Sequence, residues 1–156
     1  MATPNNIIFH KLSELLAGGD LDWPAATDIR ALLLAGDGTP AKDASTVTAV
    51  LGTMGLAELD ATDYVRKTLA NQSVNLASNV LQFLADNVVW TGLGNGSNDT
   101  ASAILVYKGT LDDADDGTNV PLVLMAASEA RTTTGEDATW EWPANGVVAL
   151  QHPAAA

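Results

Sequence analysis

The chain contains no cysteine, which excludes disulfides, thiol catalysis and thiolate metal sites and leaves its redox compartment open. It is also poor in basic residues, with seven Lys and Arg against nineteen Asp and Glu, so that its formal net charge is −12 at pH 7. Phosphate backbones and anionic lipid surfaces repel a chain this acidic. We therefore expect neither nucleic acid nor a membrane as a partner.

Long apolar runs are absent as well. A membrane helix needs about 18 consecutive apolar residues, whereas apolar runs here, such as residues 31–35, have only the length of a strand. Near the start, Ile7, Ile8 and Phe9 are followed at once by His10 and Lys11, which does not fit a secretory signal. We expect no leader and no membrane anchor.

The size and composition of the chain are those of one folded domain. Its 156 residues are 47% apolar and 17% charged, which is enough to bury a core without a metal or a disulfide. No internal repeat or linker divides it. We predict a single domain over residues 1–150, followed by a flexible Pro/Ala tail at 151–156.

The first predicted element is an amphipathic helix at about residues 6–17, capped by Asn5 or Asn6 and ended by Gly18-Gly19. Its apolar residues recur at i, i+4, i+7 and i+8, as Ile8, Leu12, Leu15 and Leu16. A second, short helix is favoured up to Leu51, with Asp43 or Ser45 as its cap, although Val47, Thr48 and Val50 also fit a strand.

Most of the remaining chain has strand patterns separated by turn residues. Strands are predicted at residues 28–35, 64–69, 72–76, 80–84, 88–90, 103–107, 121–126, 138–142 and 146–150. The runs 103–107 and 121–126 are apolar throughout, as expected when both faces of a strand are covered. The pattern predicts a mainly β fold with an N-terminal helix (α+β), an antiparallel β-sandwich or open barrel.

Motifs for catalysis or cofactor binding are missing. His10 lies beside the apolar face of the first helix, and His152 lies in the tail, so neither is placed beside a carboxylate. The glycine-rich residues 92–98 form a flexible loop without the lysine or the following helix of a phosphate-binding loop. We predict no enzyme, no catalytic residue, no metal and no cofactor.

The acidic segment from Asp112 to Asp116 resembles a calcium loop in its spacing of aspartates before Gly117. An EF-hand needs a glutamate at its twelfth position, which falls here on Val123 or Leu124, in an apolar strand. We favour a solvated hairpin tip over a calcium site, and the sequence leaves calcium binding open.

Trp140 and Trp142 flank Glu141, so a strand would place both indoles on one face. Two indoles on one face suit a sugar-stacking platform, although large aromatic side chains more often belong to a core or a subunit interface. We favour the core or interface, and expect the same of Trp90. Trp23 is expected to pack its loop onto the sheet.

Several hydrophobic patches of the chain, taken in order over about 130 residues, resemble a family of small structural proteins of tailed bacteriophages. The patches are Asp28-Ile-Arg-Ala-Leu-Leu-Leu, Tyr64-Val-Arg-Lys-Thr-Leu-Ala-Asn-Gln-Ser-Val, Ala85-Asp-Asn-Val-Val-Trp, Ala103-Ile-Leu-Val-Tyr-Lys, Pro121-Leu-Val-Leu and Trp140-Glu-Trp-Pro-Ala-Asn-Gly-Val-Val. The chain departs from that pattern in its acidic insert at 112–116 and at residues 127–134.

The resemblance implies a capsid decoration (cement) protein, made in the host cytoplasm and located in the virion on the capsid surface. Its partners would be the major capsid protein lattice and further copies of itself, in a closed homotrimer. The candidate lattice contacts are the N-terminal arm, residues 2–6, and the loop 92–100. The alternatives are a tail or head–tail connector component, a carbohydrate-binding module using Trp140 and Trp142, and a hydrolase.

Overall fold

The computed structural model describes residues 3–151. Its helices are α1 (His10–Gly18) and α2 (Val47–Leu51), with two 3₁₀ turns at Trp23–Ala25 and Asp113–Asp115. Its strands are β1 (Ile7–Ile8), β2 (Ile29–Gly36), β3 (Leu56–Glu58), β4 (Lys67–Thr68), β5 (Ser73–Ala77), β6 (Val80–Leu84), β7 (Val88–Leu93), β8 (Thr100–Lys108), β9 (Val120–Thr132), β10 (Glu136–Trp140) and β11 (Val148–Gln151).

A six-stranded sheet forms the centre of the molecule, in the order β1-β9-β8-β2-β3, with β4 also paired to β2. The middle strands β2 and β8 are in register from Ile29 opposite Lys108 to Leu34 opposite Ala103. Their apolar side chains are buried on both faces, because both faces of the sheet are covered. The prediction from the apolar runs is confirmed.

Different elements cover the two faces of this sheet. On one face, residues of α1 and of two small sheets, β11-β6-β5 and β10-β7, join a core cluster that includes Leu12, Trp23, Phe83 and Trp90. On the other face, α2 and the segment around Phe9 complete a second cluster. Every strand pair is antiparallel, so the predicted mainly β, antiparallel fold with an N-terminal helix is confirmed.

The predicted start of the first helix, at residue 6, is wrong. Ile7 and Ile8 form β1, opposite Leu124 and Val123 of β9, and α1 begins only at His10 with Phe9 as its N-cap. β-branched side chains favour a strand, and the outer edge of β9 supplies backbone partners for them. The helix ends at Gly19 in the left-handed conformation (φ 73°), as Gly18-Gly19 predicted.

Other boundaries differ from the sequence prediction as well. Only Lys67–Thr68 of the segment 64–69 is a strand, and β9 continues to Thr132 rather than ending at 126. Thr46 caps α2 through its hydroxyl, in place of Asp43 or Ser45. β10 ends at Trp140, two residues earlier than predicted. The predicted flexible tail at 151–156 is wrong at Gln151, which is the last residue of β11 opposite Val80, and the rest of that tail lies outside the described residues. Within residues 3–151 no helix has the length and apolar character needed to cross a membrane.

Candidate interaction surfaces

Arg66 is the centre of a buried ionic cluster. It is 8% exposed, and its guanidinium donates to both oxygens of Glu58 and to both oxygens of Asp116, the latter at 2.7 and 2.8 Å. The Tyr64 hydroxyl donates to Glu58 at 2.9 Å, and the guanidinium lies 5.7 Å from the ring centroid of Tyr107. Two-point pairing of this kind is the strongest ion-pair geometry that arginine makes.

The cluster shifts the ionisation of its members. Burial alone would lower the pKa of Arg66, but its hydrogen bonds to Glu58 and Asp116 outweigh burial and raise that pKa. Burial, reinforced by the negative charge of Glu58, raises the pKa of Tyr64. Burial likewise raises the pKa of Tyr107. Arg66 therefore stays charged and the phenols of Tyr64 and Tyr107 stay neutral at neutral pH, which suits a structural role.

Asp116 corrects the prediction that the whole acidic segment is a solvated tip. Its side chain is buried and paired with Arg66, and its carbonyl oxygen accepts the Thr48 N–H at 3.1 Å, which ties the segment to α2. Asp112 accepts from the Ala114 N–H and Asp115 accepts from the Thr110 hydroxyl, while both remain exposed.

Across residues 3–151 no group of three or more His, Asp or Glu side chains is arranged to hold a metal ion. His10 is exposed at the first position of α1, and His152 lies outside the described residues.

The loop 92–100, of which residues 92–98 were predicted to be flexible, is held by hydrogen bonds along its length. Thr62 binds it three times, through Gly94 N–H to the Thr62 carbonyl, Thr62 N–H to the Ser97 carbonyl and Ser97 N–H to the Thr62 hydroxyl. The Asp99 N–H donates to the Thr133 hydroxyl at 3.0 Å, beside the end of β9. The loop therefore presents a defined surface.

The described part of the N-terminal arm, residues 3–6, is fixed to the same strand. Pro4 is buried, and the Asn6 side chain accepts the Ala126 N–H at 2.7 Å. The two candidate lattice contacts thus flank one segment of β9, with the arm at Ala126 and the loop at Thr133.

Between these two points β9 leaves its ladder with β8. Ala126 lies opposite Ala103 and Arg131 lies opposite Ala101, so residues 127–130 bulge out with no register partner on β8. A groove of about 940 Å³ runs between this bulge and β10. We call the bulge and the groove the β9 rim.

Trp140 and Trp142 line the groove, but they do not form a flat platform. Trp142 lies beyond the end of β10, and the two rings meet edge to face, with centroids 6.4 Å apart and planes at 61°. The Trp142 indole donates to the Asp86 carbonyl, while the shielded Trp140 N–H finds no acceptor among residues 3–151. Both rings pack against the core, as do the buried Trp23 and Trp90, which confirms the core interpretation.

The β5–β6 hairpin is the second uncovered surface. Every residue of β5 is exposed, including Val74 at 40% and Leu76 at 69%. Among residues 3–151 β5 pairs only with β6, so its other edge has no strand partner there.

Comparison of the chain with known protein families, curated proteins and solved structures finds no match. The phage resemblance therefore stays a prediction.

Two features escaped sequence reasoning. The Arg66 cluster has no local sequence signal, since the acidic partners of Arg66 lie 8 and 50 residues away in the chain. The β9 bulge lies just beyond the predicted strand 121–126, and the only signal for it is the small and polar run Ala127-Ser-Glu-Ala.

Proposed function

We propose that this chain is a structural protein of a tailed-phage virion. In this proposal it is a capsid decoration (cement) protein, a homotrimer that binds the major capsid protein lattice on the outer face of the shell. The hydrophobic patches of the sequence supply the phage resemblance. The structure adds support of a different kind, from what the surface of the domain offers to other proteins.

The observation that carries the proposal is the presence of two separate uncovered surfaces on one well-packed β domain. A cement subunit has to hold a neighbouring copy and the shell at the same time. The free edge of β5 suits the first task, and the β9 rim, flanked by the arm and the loop 92–100, suits the second. The excess negative charge is tolerated best outside the shell, away from packaged DNA.

The stabilising mechanism is linkage. A protein that binds the assembled shell, and not its dissociated subunits, shifts the equilibrium toward assembly by about 2.7 kcal/mol per site when its free concentration is 100 times Kd. A trimer that contacts several capsomers gains further through avidity. No bond is made or broken in this function.

The proposal is tested on phage particles that lack this protein because its gene is disrupted. We expect such particles to assemble with tails but to release DNA at a lower temperature, measured with a DNA-binding dye. Adding the purified chain should restore the release temperature, and an unrelated acidic protein at equal concentration should not. Particles without tails would point to a connector instead. Quenching of Trp fluorescence by a glycan, without any effect on particles, would point to a carbohydrate-binding module.

A further inference from the structure

We propose that copies of this chain associate through the β5–β6 hairpin, with Val74 and Leu76 packed against the same residues of a neighbouring copy. The inference rests on the proposed function for the number of copies, three. It adds to that function the surface by which the subunits hold one another.

The hairpin has one polar and one apolar face. On the polar face, Asn75 donates to Gln82 at 2.9 Å and Gln82 donates to Asn145 at 3.2 Å. On the other face, Val74 lies opposite Phe83, which is buried edge to face against Trp23 at 5.5 Å. The apolar face of the hairpin therefore adjoins the core at Val74 and Phe83.

Towards the hairpin tip the same apolar face continues beyond the core. Leu76 lies opposite Leu81 there, and Leu76 is 69% exposed. Side chains alternate along a strand, so Val74 and Leu76 form one continuous apolar strip, and no element among residues 3–151 buries its outer end.

The free edge of β5 also lacks the features that keep edge strands apart. Natural edge strands are protected by lysine, proline, inward charges or bulges. β5 reads Ser-Val-Asn-Leu-Ala, and its register with β6 is unbroken from Ser73 to Ala77. Such an edge is suited to contact with another polypeptide.

The distribution of charge along the chain points to a second copy of this chain as that polypeptide. Residues 68–85 contain no Asp, Glu, Lys or Arg, and they form the longest uncharged stretch of the chain. Two molecules of net charge −12 repel each other least where they meet through such a stretch. A basic partner would instead be drawn to the acidic surface. Because every copy uses the same residues, the contact lies at a symmetry axis.

The test uses the full chain in sedimentation equilibrium at physiological salt. We expect the wild-type protein to have about three times the monomer mass of 16.1 kDa. The variant Leu76→Asp should associate at least tenfold more weakly. The matched control is Met54→Asp, because Met54 is 93% exposed and lies outside the hairpin; it should sediment as the wild type does. Circular dichroism should show that both variants are folded.

The absence of native cysteine allows a second measurement that does not depend on weakening the contact. The variant Leu76→Cys should form disulfide-linked pairs under mild oxidation, and Met54→Cys should not.

Unchanged association of Leu76→Asp, or a wild-type chain that remains monomeric, would overturn the inference. A chain that associates through the hairpin but binds no phage particle would support this inference and contradict the proposed function. A mass of two chains would support the contact and contradict the three-fold arrangement.

Discussion

At the scale of single residues, the most consequential side chain is Arg66. It is the one cation that joins three separate parts of the described chain, since Glu58 is the last residue of β3, Asp116 belongs to the acidic segment, and Tyr107 is in β8. A buried ion pair of this kind adds little to the free energy of unfolding compared with a well-packed apolar replacement. Removing only one partner lowers that free energy strongly, because the other charge stays buried without a partner.

We therefore expect Asp116→Ala to lower the free energy of unfolding by about 3–5 kcal/mol. The change leaves one side of the Arg66 guanidinium unpaired and removes the nearest of the three acceptors of the Asn119 amide. Urea unfolding followed by Trp fluorescence measures the effect. Asp113→Ala is the matched control in the same segment, because Asp113 is exposed; it should change stability by less than about 0.5 kcal/mol. Equal effects of the two changes would contradict the role given to the cluster.

The raised pKa of Tyr64 predicts that the protein loses stability at alkaline pH. The pKa of Tyr64 is raised in the folded state, mainly by burial, above its unfolded value of about 10. The stability that this contributes is complete below pH 10 and is lost as the pH rises above 10, because the unfolded state then releases a proton that the folded state retains. Stability should fall by up to about 1.4 kcal/mol per pH unit from Tyr64.

Tyrosinate absorbance at 295 nm provides the measurement for this transition. It should stay low above pH 10 until the protein unfolds, and then rise in the same step as the loss of circular dichroism. Tyr64→Phe should flatten the fall in stability with pH. Smooth ionisation near pH 10 in the folded protein would show that Tyr64 is not buried as described.

At the scale of elements, the central strands depend on close backbone contacts at their ends. Gly36, the last residue of β2, has φ 95°, and a Cβ atom there would lie 2.0 Å from the Gly55 carbonyl oxygen. Only glycine fits such a position.

Gly36→Ala should accordingly destabilise the protein by more than about 2 kcal/mol, from backbone strain and displacement of the β2–β3 connection. Gly117→Ala is its control, because a Cβ atom at Gly117 meets nothing within 4 Å. Thermal unfolding compares the two. If Gly36→Ala melts at the wild-type temperature, the β2–β3 turn is not packed as described.

How far the sequence predicts these elements depends on whether local pattern or distant contact decides them. β2, β8 and β9 were predictable because runs that are apolar on both faces fit only covered strands. The start of α1 was not, since Ile7-Ile8 fits a helix face as well as a strand, and the edge of β9 decided between them. The exposure of β5 was not predictable either. An alternating pattern predicts that one side of a strand is buried, but not whether the strand's own chain buries that side.

The candidate surfaces were predictable only in part. The arm and the loop 92–100 were selected from the sequence, but their positions at Ala126 and Thr133, on either side of the bulge at residues 127–130, were not predictable from it. The pairing of Asp116 with Arg66 joins residues 50 positions apart, and no local pattern contains it.

At the scale of the whole molecule, charge sets the conditions for assembly. Copies with a net charge of −12 repel one another over a distance that salt shortens to about 8 Å at physiological ionic strength. Self-association should therefore tighten as salt is raised from low to moderate concentration, which sedimentation at several salt concentrations measures. Weakening by salt would indicate that ion pairs, rather than an uncharged hairpin, join the subunits.

The central claim concerns location, and cryo-electron microscopy of phage particles that contain this chain tests it most directly. The account predicts density for the protein on the outside of the capsid, at three-fold positions of the shell, with the β9 rim against the major capsid protein and the hairpins of three copies around the axis. Density confined to the tail or the portal, or none on the particle, would contradict it.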